Sequence, residues 1–405
     1  MAWLTAPQAL QVLGVRPQTL YANVSRRRIR AKPDPKDTRR SLYHEADVRK
    51  MARQHGGQRK SAAVAAGTIE WGDPILSSGV STVVAGRLYY RGQDAAALSD
   101  EKSFAEVAHL LWGAQRGAGL PVAGLATAGA GSKAGNGTSA LQRAFLALGL
   151  RAATDLSSYG RAPAVLQVEA ASVLNTLADA MLDERPALRR RCAAAAALND
   201  RAAASWRRPD VADIARRVLI LLADHELNAS TFANRVAVST GAPLAAGVLS
   251  GLAALSGPLH GRASVGVLQL VKGVEHAGAA ATVRDWLLQG RPIAGFGHPL
   301  YPAGDLRAAV LLKHFPLPPA YAELRDVVEE VIGERPNVDF ALAALTKVFD
   351  LPQDAPLILF ALGRCAGWLA HALEQATTGH PIRPRARYSG PPVQAMETWS
   401  ETFPC

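Results

Sequence analysis

Cysteine is scarce in this chain. Cys192, Cys365 and Cys405 stand far apart and are odd in number among 405 residues. That excludes a disulfide framework and a Cys-based zinc site, and it points to a reducing compartment, the cytoplasm, with no metal expected. Aromatic residues make up only 6% of the sequence. Long uncharged runs are also rare. The one from Gly241 to Leu259 matches a membrane span in length, but Pro243, Pro258 and several Gly and Ser interrupt it. A buried Gly-rich core helix is expected there, and no membrane partner. The start of the chain shows no charged leader followed by an apolar core, so no signal peptide is read. What is abundant is alanine and leucine, in a chain 49% hydrophobic with few β-branched runs. This composition predicts a mainly α fold, long enough for two or three domains with large cores.

Charge is placed unevenly. Residues 1–60 hold 14 Lys and Arg against 4 Asp and Glu, whereas the other 345 residues hold 31 against 30. A basic module precedes an almost neutral body, which points to a polyanionic partner for the first part alone. In that module Thr5-Ala-Pro7-Gln8 reads as a capped helix start, with Ala9, Leu10 and Leu13 as its apolar face and Gly14 as its stop. A second short helix is expected over Pro17–Val24, a two-stranded cationic wing over 25–43, and a third helix from Glu45 to His55. Two helices around a Gly turn, then a basic wing, resemble the winged helix-turn-helix modules of the MerR and excisionase type. The resemblance implies duplex DNA as a partner of residues 1–60. Gln18, Thr19 and Tyr21 would face the groove, and Arg26, Arg27, Arg28, Arg30, Arg39 and Arg40 would hold phosphates or enter the minor groove. The expected boundaries are 1–55 for this module, 56–67 for a Gly/Lys/Ala linker and 68–405 for the body.

Short strands are expected between Thr68 and Tyr90, an exposed loop over Gly117–Gly137, and a surface helix over Arg189–Ala204. Three acid/base candidates then follow in Gly- or Pro-rich turns. His260 lies in Ser256-Gly-Pro-Leu-His260-Gly-Arg262, His298 in Gly295-Phe-Gly-His298-Pro-Leu-Tyr301-Pro-Ala-Gly-Asp305-Leu-Arg307, and Asp339 in Asn337-Val-Asp339. Two imidazoles and a carboxylate suit proton transfer next to a carbonyl, and an arginine nine residues after His298 suits a carboxylate ligand.

These segments resemble the citrate synthase family, whose members carry Gly-Pro-x-His-Gly, Gly-x-Gly-His-x-x-Tyr with a following Asp-Pro-Arg, and Asn-Val-Asp, in that order. The resemblance runs from about Gly67 to the C-terminus and takes in Leu88-Tyr-Tyr-Arg-Gly92, Ala223-Asp-His225-Glu-Leu-Asn228, Arg364 and Arg383-Pro-Arg385. It implies a helical homodimer, each subunit having a large domain and a smaller one at about 260–350 that closes over the site. It also implies condensation of acetyl-CoA, a co-substrate rather than a resident cofactor, with oxaloacetate. Asp339 would be the base, His260 the enol-stabilising donor and His298 the group that protonates the ketone oxygen. Arg307, Arg364 and Arg383 would hold carboxylates, Arg383 from the neighbouring subunit, with His225 as a further donor.

The match has departures. Pro299 and Pro302 stand where Arg and Lys are common toward the coenzyme side, Leu306 replaces the proline of Asp-Pro-Arg, and Arg262 stands where a second glycine is usual. Coenzyme A phosphates are therefore expected to be held differently. Two alternatives stay open: a 2-methylcitrate-type synthase, and a transcriptional regulator that uses a synthase-like body to sense a metabolite.

Overall fold

The computed structural model describes residues 3–13, 20, 24, 29–34, 37–48, 76–114, 138–183, 197–384 and 390–391. The chain divides into two compact units, Met1–Ser77 and Ser78–Cys405. In the first, β1 (Trp3–Leu4) leads into α1 (Ala6–Leu13). Thr5 donates its N–H and its hydroxyl to Gln8 Oε1 at 2.9 and 3.0 Å, the backward arm of the expected capping box. β2 (Ala31–Asp34) and β3 (Asp37–His44) pair antiparallel, Ala31 opposite Tyr43. The wing is three-stranded rather than two-stranded, because Trp3 and Leu4 pair with His44 and Tyr43 on the free edge of β3. Ala9, Leu20, Ile29, Tyr43 and Val48 form its core. Helical backbone occurs at Leu20, at Val24 and over 45–48. Gln18, Thr19, Tyr21, Arg26, Arg27, Arg28 and the linker at 56–67 lie outside the described residues, as do the side chains of Arg39 and Arg40 in β3.

The second unit opens on a small meander. β4 (Ser81–Val84), β5 (Arg87–Tyr90) and β6 (Gln93–Asp94) pair antiparallel in that order. Both connections are two-residue turns with positive φ throughout, at Ala85 and Gly86 and at Arg91 and Gly92, the backbone of a type I′ hairpin. Helices follow: α2 (Ala95–Glu101), α3 (Phe104–Leu111), α4 (Ala140–Thr154), α5 (Pro163–Met181) and α6 (Leu198–Ser205). Of the expected loop over Gly117–Gly137, all residues lie outside the described set. Of the run 189–204 expected as a surface helix, residues 189–196 lie outside the described set and 198–204 are helical, with Asp200 and Ala204 exposed. α6 buries Leu198, Asn199, Ala202 and Ala203 against α7 (Ala212–Leu221), because its small residues let the two backbones approach.

After α7 come α8 (Ala229–Ser239), α9 (Leu244–Leu255), α10 (Ala263–Ala277), α11 (Ala279–Leu288), α12 (Leu306–Leu311), α13 (Pro319–Ile332), α14 (Val338–Val348) and α15 (Ala355–Thr378). α9 is the buried helix expected between Gly241 and Leu259; it starts after Pro243 and packs Gly251 on the indole of Trp368. Among the described residues, only α15 is long and apolar enough to cross a membrane, and 94% of its most apolar stretch is buried among the other helices. Its Gly363 and Gly367, one turn apart, face the end of α7 and the loop after it. A Cβ at Gly363 would lie 2.8 Å from the Leu219 carbonyl. That close approach brings Arg364 beside the loop 222–228, and the site is built there.

Candidate active site

Asn228 caps α8, its Oδ1 accepting the N–H groups of Ser230 and Thr231 at 3.1 Å each. The cap places Ser230 Oγ 2.9 Å from His260 Nε2, 2.7 Å from Asn228 Oδ1 and 3.2 Å from the donating indole N–H of Trp368. The one Ser230 hydroxyl proton has two acceptors in reach, Asn228 Oδ1 and His260 Nε2; only when it turns to Nε2 does the ring's own proton sit on Nδ1 and make His260 a donor at that atom. His260 is presented by a tight turn in which Gly261 donates to Leu255 O at 2.9 Å. Only glycine fits, since a Cβ there would lie 2.7 Å from that same carbonyl. Burial, with Arg364 nearby, brings the His260 pKa down to about 4, so the ring is neutral at pH 7.

His298 and Asp339 arrive from two segments stitched together. Gly297 donates to Arg335 O at 2.9 Å, Asn337 N–H to Gly295 O at 2.8 Å, and Asn337 Nδ2 to Gly297 O at 3.0 Å. Gly295 has φ +85 and Gly297 φ +66, a backbone that side chains rarely tolerate. Leu300 N–H donates to His298 Nδ1 at 3.1 Å, which fixes the proton on Nε2. Burial first, then Arg307, lowers the His298 pKa to about 4. Asn337 caps α14 by accepting the Asp339 N–H at 3.0 Å, so the carboxylate lies in the helix's first turn. One of its oxygens, Oδ1, is buried without a hydrogen-bond partner. Burial pushes the Asp339 pKa up to about 7, only partly offset by Arg307.

The positive charge is equally deliberate in its placing. Arg307 is buried and forks onto Asp305, Nε to Oδ1 at 3.0 Å and Nη2 to Oδ2 at 2.8 Å. Asp305 also accepts the Val338 N–H at 3.0 Å, so one carboxylate links α12, Arg307 and the start of α14. Arg364, 1% exposed, gives only its Nε to a described residue, the Leu222 carbonyl at 2.9 Å. Among the described residues it forms no ion pair, and burial brings its pKa down to about 10, still charged at pH 7. Its guanidinium lies 5.1 Å over the Phe360 ring, whose edge meets His260. His225 is buried with Nε2 2.8 Å from Tyr301 Oη, and its ring stands edge-on to His298 at 5.1 Å. Burial, then Arg307 and Arg364, holds its pKa well below the usual value.

Six of the seven residues expected from the sequence thus converge: His225, His260, His298, Arg307, Asp339 and Arg364. Arg383 does not join them. It stands exposed after α15, and among the described residues no hydrogen bond or ion pair ties it to the cluster. In the first unit, Arg30 is already occupied, its Nε and Nη2 on the two oxygens of Asp47 at 2.8 and 3.0 Å and Nη2 2.9 Å from His44 Nδ1. Residues that sequence reasoning left without a role are Ser230, Tyr301 and Asp305. Asp305 had a readable signal, a carboxylate two positions before the arginine it grips. The pairing of Ser230 with His260 had none, since 30 residues separate them. Among the described residues no cluster of His, Cys, Asp or Glu is arranged to hold a metal ion.

Two short-range donors, one high-pKa carboxyl and two buried guanidiniums make a site for an anionic ligand beside a base. Known proteins share both sequence and fold. Residues 131–385 match the citrate synthase C-terminal domain. A citrate synthase of Haloferax volcanii is 42% identical over 184 residues, 42% of this chain and 48% of that protein. A 2-methylcitrate synthase 2 of Corynebacterium glutamicum is 34% identical over 192 residues, 45% of this chain and 50% of that one. The chain spans about half the length of these relatives. The crystal structure of citrate synthase from Thermotoga maritima superposes with a TM-score of 0.63 at 25% identity, over 80% of this chain and 96% of that one. With the motif-bearing segments folded into one cluster and the family domain matched over most of the second unit, the chain belongs to the citrate synthase family.

Proposed function

We propose that the second unit condenses an acyl-CoA, acetyl-CoA first, with oxaloacetate. The observation that carries this reading is the Asp339 carboxyl, with a buried partnerless oxygen and a pKa raised to about 7. A weakly acidic C–H needs a base of raised proton affinity, and an ordinary exposed aspartate is too weak. In the proposed reaction Asp339 takes a proton from the thioester methyl while His260 Nδ1–H hydrogen-bonds the thioester oxygen and stabilises the enolate that forms. The enolate carbon attacks the ketone carbon of oxaloacetate, and His298 Nε2–H gives its proton to the ketone oxygen as that oxygen becomes a hydroxyl. Hydrolysis of the resulting thioester releases coenzyme A. Both imidazoles are neutral at pH 7, so each acts as a donor without adding a competing cation. Arg364 offers an unpaired fork and Arg307 its remaining N–H groups to the two carboxylates, with His225 closing the same end.

The dimer belongs to this proposal. Arg383 lies free of its own chain's cluster, and Leu146, Leu150, Leu156, Tyr159 and Val165 are exposed on α4, the following loop and the start of α5. That apolar surface suits a second copy whose Arg383 completes the site, with the segment 260–350 closing over the ligands. We further infer that the first unit binds duplex DNA. The support is its charge and its basic β2–β3 hairpin, and Arg30 would then serve the module's own structure instead of a phosphate. A propionyl-CoA substrate is the second reading, favoured by the similarity to a 2-methylcitrate synthase. Thiol release by the purified protein with acetyl- and propionyl-CoA, each with and without oxaloacetate, tests both. Release that depends on oxaloacetate is expected. Oxaloacetate binding without release from either thioester would overturn the enzyme reading in favour of a metabolite sensor.

A further inference from the structure

The segment 222–230, a loop running into the first turn of α8, serves three groups of the site at once. Its Leu222 carbonyl holds Arg364, its His225 meets Tyr301, and its Ser230 reaches His260. At the centre of the loop is Asp224, fully buried. Its Oδ2 accepts from the Ser81 hydroxyl and, at 3.2 Å, from His371 Nε2. The other nitrogen of that ring, Nδ1, lies 3.3 Å from the Arg235 guanidinium, a group that can only donate, so the ring proton points at Asp224. Arg235 continues to Glu374 at 2.7 Å and Gln375 at 3.0 Å, and Glu374 accepts the Gly79 N–H at 2.9 Å. On the other side the Glu226 N–H donates to Ser81 Oγ at 2.9 Å. The loop is thereby pinned between β4 and α15. Gly367 sits so close that a Cβ would collide with the Ala223 carbonyl and with Asp224 itself.

Burying a carboxylate this thoroughly is unfavourable unless positive charge lies nearby. Burial alone would raise the Asp224 pKa, but His371 and Arg364 hold it below the ordinary value. The relation is mutual. Among the groups that act on Arg364, Arg307 from α12 disfavours its charge, while Tyr90 from β5 and Tyr301 are neutral at physiological pH. His225 in the loop and His260 are neutral as well. Of these neighbours only Asp224 carries a negative charge.

We infer that Asp224, tied by Ser81 and His371, is a positioning residue that fixes segment 222–230 and so holds Arg364, His225 and His260 in register for a dicarboxylate ligand. The inference rests on the keto-acid reading of the site given above. The test uses the full-length protein, oxaloacetate binding by calorimetry at pH 7.5, and thiol release. Asp224→Asn keeps the shape and loses the charge that His371 and Ser81 grip. Its Kd for oxaloacetate is expected to rise about tenfold, with kcat within roughly threefold of wild type. Ser81→Ala removes one tie but leaves the carboxylate, so it should weaken binding by about threefold. A merely structural role would lower the folded fraction and leave the Kd of the folded protein unchanged. Wild-type affinity in folded Asp224→Asn would overturn the inference alone; should that variant not fold, unchanged affinity in Ser81→Ala does so. A wild-type protein that binds no oxaloacetate overturns the keto-acid reading, and this inference with it.

Discussion

Replacing Asp339 by asparagine should stop the chemistry while making the fold more stable, and the second effect is the sharper test. The carboxyl is raised from 3.8 to about 7 by burial. A raised folded-state pKa means the native chain holds that proton more tightly than the unfolded chain does. The stability this gives is complete below about pH 4 and is lost as pH rises through about 7. Roughly three pKa units would correspond to about 4 kcal/mol as a ceiling. Because the Asp339 residue keeps some solvent contact and Arg307 offsets part of the cost, about 1–2 kcal/mol is the sensible expectation. Asparagine has the same shape and no charge to bury. Urea unfolding at pH 4.5 and pH 8.5 should show the two proteins nearly equal in acid and the variant ahead by that amount in base. Turnover should fall by about two to four decades, with oxaloacetate affinity little changed. An Asp339→Asn protein less stable than wild type at pH 8.5 would refute the reasoning, since its carboxylate would then be solvated or paired.

The same group sets the pH profile: kcat of wild type should rise with pH through an inflection near 7 as Asp339 deprotonates, and a flat profile from pH 6 to 8.5 would count against it as base. Gly295→Ala places a Cβ 2.5 Å from Val267 Cγ2 at φ +85, so about 1–3 kcal/mol of stability should be lost on thermal unfolding, with kcat falling as His298 shifts. Mixing inactive Arg383→Ala with inactive Asp339→Asn subunits should restore part of the thiol release, because one mixed site has both residues intact; no recovery after verified subunit exchange would leave Arg383 a tail residue. Deleting residues 1–60 should abolish binding of duplex DNA in gel shifts and leave thiol release nearly unchanged. Binding by the full chain should weaken steeply with salt, roughly one unit of log–log slope per phosphate neutralised.

The site was legible where its residues carry a local signature. His260, His298 and Asp339 lie in Gly, Pro or Asn turns whose backbone needs those residue types, and Asp305 with Arg307 is a two-residue grip readable in place. Partners remote in sequence were not legible. Ser230 against His260, and Asp224 against His371, depend on which faces of α8 and α15 meet, and helical periodicity does not encode that. The third strand of the wing was missed because two residues, Trp3 and Leu4, are too few for an alternating pattern. The run 189–204 left open which of its residues turn inward, because alanine carries little information on which side of a helix is buried. α9 was read correctly, since its glycines and flanking prolines rule out a free-standing span.

Arg364, a buried cation with no ion pair among the described residues, has a consequence outside catalysis. An empty site leaves that charge compensated only from a distance, so a dicarboxylate that pairs with it binds the native chain and not the unfolded one. At a ligand concentration 100 times Kd such linkage adds about 2.7 kcal/mol to unfolding. The persistence of this protein against proteolysis would then follow the supply of its own substrate: chains accumulate where the keto acid is plentiful and are cleared sooner where it runs short.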